Sequence, residues 1–94
     1  MGKKNITHKI VTILGMRLDE WQYKSCIAHC ATGKDWATLY DIESAEQGKG
    51  HATKLLLEMK DYYEGKGLTF GGSVALNNRM QRIYQRCGVR EFNG

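Results

Sequence analysis

The sequence predicts an α/β protein with a mixed sheet, its elements in the order β-β-β-α-β-α-β: antiparallel strands first, a βαβ unit behind them. Three observations predict this. Residues 8–43 read as β segments separated by turns, with β-branched runs and alternating side chains. Residues 49–64 and 77–87 place apolar side chains at the i, i+3, i+4, i+7 spacing of amphipathic helices. A short apolar run at 68–75 lies between those helices.

Taken in order, "HKIVTILGMRL" at 8–18 is rich in β-branched residues and reads as a strand. "DEW" reads as a turn. In "WQYKSCIAHC" at 21–30, Trp21, Tyr23, Ile27 and His29 alternate onto one face, and Gln22, Lys24, Cys26 and Ala28 onto the other. After the turn "ATGKD", residues 36–43, "WATLYDIE", carry apolar side chains on both faces, as a central strand covered on both sides would.

The first helix runs from about Lys49 to Glu64, with Ala52, Leu55, Leu56, Met59, Tyr62 and Tyr63 on its apolar face. "GKG" at 65–67 stops it, with Gly65 suited to a left-handed cap. "LTFGGSVA" at 68–75 is a short strand, its two glycines marking a close approach of backbone or ligand. In the second helix, 77–87, the stripe is Met80, Ile83, Tyr84 and Cys87, with Asn77 fitting an N-cap and Gly88 a C-cap. "VREF" can form a last short strand.

The 94 residues suffice for one domain with one core. A hydrophobic fraction of 41% and a charged fraction of 26% are those of a globular chain. No apolar run approaches the roughly 20 residues that span a bilayer. The start "MGKKNITHKI" has no apolar stretch of a secretory signal, so cytoplasmic residence is the expectation. The net charge of +4 is compatible with an anionic ligand or nucleic acid.

The three cysteines, Cys26, Cys30 and Cys87, are expected to be reduced thiols. "CIAHC" invites a metal reading, but a strand there puts His29 on the opposite face from Cys26 and Cys30. The two cysteines would also lie about 13 Å apart along it.

"EQGKGHATKLL" at 46–56 places two glycines and a lysine before a helix. It is not a P-loop, since the upstream glycine of G-x-x-x-x-G-K-[ST] is missing and Gly50 follows Lys49. It is not the dinucleotide fingerprint either, since G-x-G-x-x-G lacks its last glycine. A helix start does expose N–H groups and the positive end of the helix dipole, and small residues at 50 and 52 let a pyrophosphate approach them.

Gln47-Gly48-Lys49-Gly50-His51-Ala52 fits Q/R-x-x-G-x-G/A and resembles the pyrophosphate loop of the GNAT superfamily of acyl-coenzyme A N-acyltransferases. "NNRMQRIYQRCGV" resembles that family's second signature, N-x-x-A-x-x-L-Y-x-x-x-G-F: Asn77, Tyr84 and Gly88 match, and Met80, Ile83 and Val89 differ conservatively. The resemblance covers roughly residues 36–90, with both motifs in order on the expected elements.

The resemblance implies a GNAT-like fold whose βαβ unit binds acetyl-coenzyme A as co-substrate, in a cleft where the central strand and the strand after the first helix splay apart. Gln47 and Gly48 would belong to the loop, and the amides of Lys49, Gly50, His51, Ala52 and Thr53 would hold the pyrophosphate. Backbone groups of Ile42 and Ser44 would pair with the pantetheine arm, the Ile42 N–H also polarising the thioester carbonyl. Asn77 would hydrogen-bond the arm or cap its helix. Lys49, Arg79, Arg82 and Arg86 are candidates for phosphate contacts. A primary amine would attack directly in a ternary complex, and Tyr84 would protonate the departing thiolate.

For the general base, Trp36 stands where many relatives carry a glutamate. Glu43, Asp41, His29 and a relayed water are the candidates, with Glu43 in the catalytic set beside Tyr84. Cys87 reads as a packed thiol.

Relatives begin with a strand and two helices that wall the acceptor site. Few residues precede position 8 here, so the acceptor side is expected to be open, to receive a protein, polyamine or other exposed amine, or to be completed in a homodimer. Two other functions stay open. One is an inactive coenzyme A-binding or regulatory protein-interaction domain. The other is nucleic-acid binding, for which no base-reading motif is present.

Overall fold

Four strands, not three, precede the first helix. A computed structural model describes residues 6–45, 50–73 and 78–91. Its elements are β1 (Ile6–Ile13), β2 (Met16–Tyr23), β3 (Cys26–Thr32), β4 (Trp36–Ser44), α1 (His51–Gly65), β5 (Thr69–Gly72), α2 (Asn78–Cys87) and β6 (Arg90–Glu91). The strands form one six-stranded sheet in sequential order. β1 to β4 are antiparallel neighbours, while β5 and β6 run parallel to β4. The protein is therefore α/β, with a mixed sheet and two helices.

The segments read as two long strands are three strands joined by tight turns. Leu14 and Gly15 turn β1 into β2 with φ of 51° and 80°, and Ile13 faces Met16 across the turn. Both positive φ values suit a primed two-residue hairpin turn. Lys24, at φ 54°, opens the turn into β3, where Tyr23 faces Cys26. Asp19, Glu20 and Trp21, expected in a turn, lie inside β2.

This second turn resets the side-chain phase. Directly opposed hairpin residues share a face, so Trp21 and Tyr23 lie with Ala28 and Cys26, and all four are buried. Ile27 and His29 point to the other face, contrary to the expected alternation. Cys26 and Cys30 are core side chains, with His29 across the sheet from them.

Both helices share one core on one face of the sheet. Two parallel crossovers in the same direction, β4 to β5 to β6, put both helices on the same side when they share the usual right hand. β4 is thus central, and among the described residues the helices cover one of its faces only: Trp36 and Tyr40 remain 42% and 53% exposed. Leu55, Leu56, Met59 and Tyr63 of α1 are fully buried, each aliphatic side chain contributing roughly 1.5–3 kcal/mol. The Tyr63 ring lies parallel to Phe70 at 5.8 Å. Its hydroxyl donates to the Asp19 carboxylate and accepts from Trp21 Nε1 at 3.0 Å.

Both helices end in the same device. Gly67, rather than Gly65, takes the left-handed conformation (φ 85°): its N–H reaches the Glu64 carbonyl, and the Leu68 N–H reaches that of Tyr63, each at 3.0 Å. At α2, Gly88 (φ 70°) caps as the sequence suggests, with Gly88 N–H to Gln85 and Val89 N–H to Tyr84. Leu68 and Val89 then turn into the core. Among the described residues, no helix is long and apolar enough to cross a membrane.

Candidate functional site

The parallel strands end near one another, and the candidate residues gather at those ends. The β4–β5 ladder pairs Trp36 through Leu39 with Thr69 through Gly72, and the Ser73 N–H still reaches the Leu39 carbonyl at 3.1 Å. β4 runs on past this last contact to Ser44.

Just there β4 carries a bulge. His29 faces Asp41 and Cys30 faces Leu39, so Tyr40 is the extra residue. The bulge shifts the phase of the strand. Ala37 and Leu39 point into the core before it; afterwards Ile42 packs against the core, while Asp41 and Glu43 point to the helix-free face opposite His29 and Ile27.

The backbone direction follows from one bond. The Ala45 N–H donates to the Ser25 carbonyl at 3.2 Å, which makes those two residues a hydrogen-bonded antiparallel pair. Such pairs alternate with pairs whose peptide groups point outward. Ser44 opposite Cys26, and Ile42 opposite Ala28, are the outward kind, so their N–H and C=O groups turn to the β5 side.

Tyr84 comes to the same place from α2. It is 5% exposed, its hydroxyl donates to the Ser73 carbonyl at 2.8 Å, and its ring covers Gly72. The close approach marked by the glycine pair is this side chain. Burial pushes the phenol pKa up, so it stays protonated at neutral pH. Beside it, Gln81, Tyr84, Gln85, Val89 and Glu91 line a groove of about 330 Å³.

α1 begins at the same end. Gly50 takes φ 76°, and the first helical bond runs from the Lys54 N–H to its carbonyl at 3.0 Å. The N–H groups of His51, Ala52 and Thr53 lie ahead of that ladder, and the first turn carries no acidic residue. The Cys87 thiol donates to the Thr53 carbonyl at 3.6 Å, pinning α2 to this turn. Burial raises its pKa, as befits a packed thiol.

Gln47, Gly48, Lys49 and Asn77 lie outside the described residues, as does the Arg79 side chain. Arg82 and Arg86 are exposed on α2. Glu43 is exposed opposite Ile27.

One cluster has no counterpart among the expected groupings. Lys9, Glu20, His29 and Asp41 are successive cross-strand partners over β1 to β4. His29 Nδ1 lies 2.8 Å from Asp41 Oδ1, and its Nε2 lies 3.1 Å from Glu20 Oε1. Lys9 Nζ is 3.6 Å from the other Glu20 oxygen, and the Gln22 amide donates to it at 3.1 Å. Burial works against the imidazolium, but the bonds to Asp41 and Glu20 outweigh it and raise the His29 pKa. The His29 bond likewise holds Glu20 below its ordinary value. Glu20 lies in β2 and not in the expected turn, and the bulge that aligns Asp41 has no sequence signal.

Comparison of the chain with known protein families, characterised proteins and solved structures finds no match.

Proposed function

We propose that the chain is a small GNAT-type N-acetyltransferase that binds acetyl-coenzyme A and transfers its acetyl group to a primary amine. The observation that carries this reading is the state of β4 beyond its last rung with β5. There the Ile42 peptide faces the β5 side, with the Tyr84 phenol and the start of α1 at the same end of the sheet. An extended arm lying along β4 would find the peptide groups of Ile42 and Ser44 turned towards it. The α1 amides suit the pyrophosphate, and Gln47, Gly48, Lys49 and Asn77 are assigned through the motif resemblance alone.

In this reading the amine attacks the thioester carbonyl carbon. The Ile42 N–H stabilises the developing oxyanion, the C–S bond breaks, and the protonated Tyr84 phenol supplies a proton to sulfur. The sequence leaves the base open among Glu43, Asp41, His29 and a relayed water.

A second reading, a coenzyme A-binding regulatory domain, is favoured by the β1–β2 turn. Its two residues, Leu14 and Gly15, leave no room for helices that would wall an acceptor site in the family. The same openness suits a protein or polyamine acceptor.

Calorimetric titration with acetyl-coenzyme A, followed by thiol release with a panel of primary amines, separates the readings. Binding with release supports transfer, and binding without release supports the regulatory domain. No binding at millimolar ligand would falsify both.

A further inference from the structure

We propose that the acceptor amine reaches the β4 edge from the helix-free face of the sheet, and that Asp41, backed by His29 and Glu20, removes its proton. The inference rests on the acetyl-transfer reading and gives it a base with a geometric rationale.

The direction of approach follows from packing. On the helix side, Ile42 lies against the core and the buried Tyr84 ring covers Gly72. On the other side Asp41, one residue before Ile42, has a side chain 53% exposed. It is the open end of the Lys9–Glu20–His29–Asp41 row, which crosses four strands on this face.

The row is built to take up a proton. Both ring nitrogens of His29 face carboxylates. A neutral imidazole has one donor and one acceptor nitrogen, so it satisfies only one of them; the imidazolium donates to both. Glu43 has no such backing: its cross-strand partner is Ile27, and among the described residues no side chain holds its carboxylate.

A neutral amine forms the C–N bond to the thioester carbon, and the C–S electron pair leaves on sulfur. The surplus proton on nitrogen passes to the Asp41 carboxylate and on to His29 Nδ1. Sulfur takes the Tyr84 proton, and solvent returns a proton from His29 to the phenolate. Asp41 touches the substrate; His29 and Glu20 are positioning residues. Among the described residues, Lys9, Glu20, Asp41 and Glu43 are the charged groups on this face around His29.

The test is the pH profile of thiol release by wild type, Asp41→Asn, His29→Gln and Glu43→Gln, with acetyl-coenzyme A affinity and melting measured alongside. Asp41→Asn is expected to lower kcat on the order of 10²-fold and leave coenzyme affinity unchanged. Wild-type kcat should rise with pH as His29 loses its proton, and His29→Gln should shift or flatten that limb. Folded Asp41→Asn protein with unchanged kcat overturns the proposal, as does a loss confined to Glu43→Gln. Should His29→Gln not fold, Asp41→Asn, at the exposed end of the row, decides alone. Wild-type turnover with an unaffected variant defeats only this inference. Wild-type protein without acetyl-coenzyme A binding defeats the transfer reading as well.

Discussion

Tyr84 occupies the space that a side chain at position 72 would need: a Cβ built on Gly72 would overlap the phenol oxygen and ring carbons. The glycine at the end of β5 is thus the seat of the proposed acid, and the Ser73 carbonyl fixes the hydroxyl above it at 2.8 Å. Gly72→Ala should push Tyr84 aside, cost about 1–3 kcal/mol in urea unfolding and slow turnover. Tyr84→Phe keeps the ring and removes only the hydroxyl. It should cost about 1 kcal/mol, slow thiol release and spare coenzyme affinity. Equal loss of affinity and rate would make Tyr84 structural.

Gly50 is required for its backbone rather than for crowding. Its φ is 76°, and a Cβ there would meet no atom within 4 Å. A β-branched residue pays roughly 1–2 kcal/mol in the left-handed region and would turn the α1 amides to escape it. Gly50→Val should abolish coenzyme binding with helical circular dichroism retained. Gly50→Asn, which tolerates that conformation, should keep more of the affinity, and Gly48→Ala should be milder than Gly50→Val. Undiminished affinity in Gly50→Val would count against the α1 site.

The His29 row also links stability to pH. The folded His29 pKa is raised above its ordinary 6.5, so its contribution is complete below about 6.5 and is lost as pH rises through the folded value. The folded Glu20 pKa is lowered from 4.5, so its contribution is present above about 4.5 and is lost as pH falls through the folded value. The row should therefore stabilise most between about pH 4.5 and 6.5. Melting temperatures across pH 4 to 9 should show wild type losing its advantage over His29→Gln on the alkaline side. Parallel curves would dissociate His29 from stability.

The β1–β2 hairpin carries a removable strain. Leu14 is 98% exposed and sits at φ 51° beside Gly15. Leu14→Asn creates the Asn-Gly pair that such turns favour and should raise stability by about 1 kcal/mol in urea unfolding. A loss of stability would contradict the assigned turn.

That turn also explains what the sequence concealed. Helical periodicity placed Leu55, Leu56, Met59 and Tyr63, and later Ile83, Tyr84 and Cys87, correctly in the core, while Tyr62, expected on the same face, is 37% exposed at its rim with its ring edge-on to Trp21. Leu14-Gly15 and Lys24-Ser25 lack the usual hairpin dipeptides, so two turns passed as strand and the alternation beyond the second came out inverted. Of the candidate site, the motifs point to Gly50 ahead of α1 and to Tyr84 on α2, and the structure puts them at the same end of the sheet. The Tyr40 bulge and the joining of Glu20, His29 and Asp41 depend on cross-strand register, which residue spacing within one strand does not encode.

The central claim is that coenzyme lies along β4 beyond its last rung with β5 and against the start of α1. Amide chemical shifts followed during an acetyl-coenzyme A titration test it most directly. Saturable shifts at Ile42, Ser44 and Gly50 through Thr53, with little change in β1, are the predicted result. No shifts at millimolar ligand, or saturable shifts confined to other elements, would contradict the account.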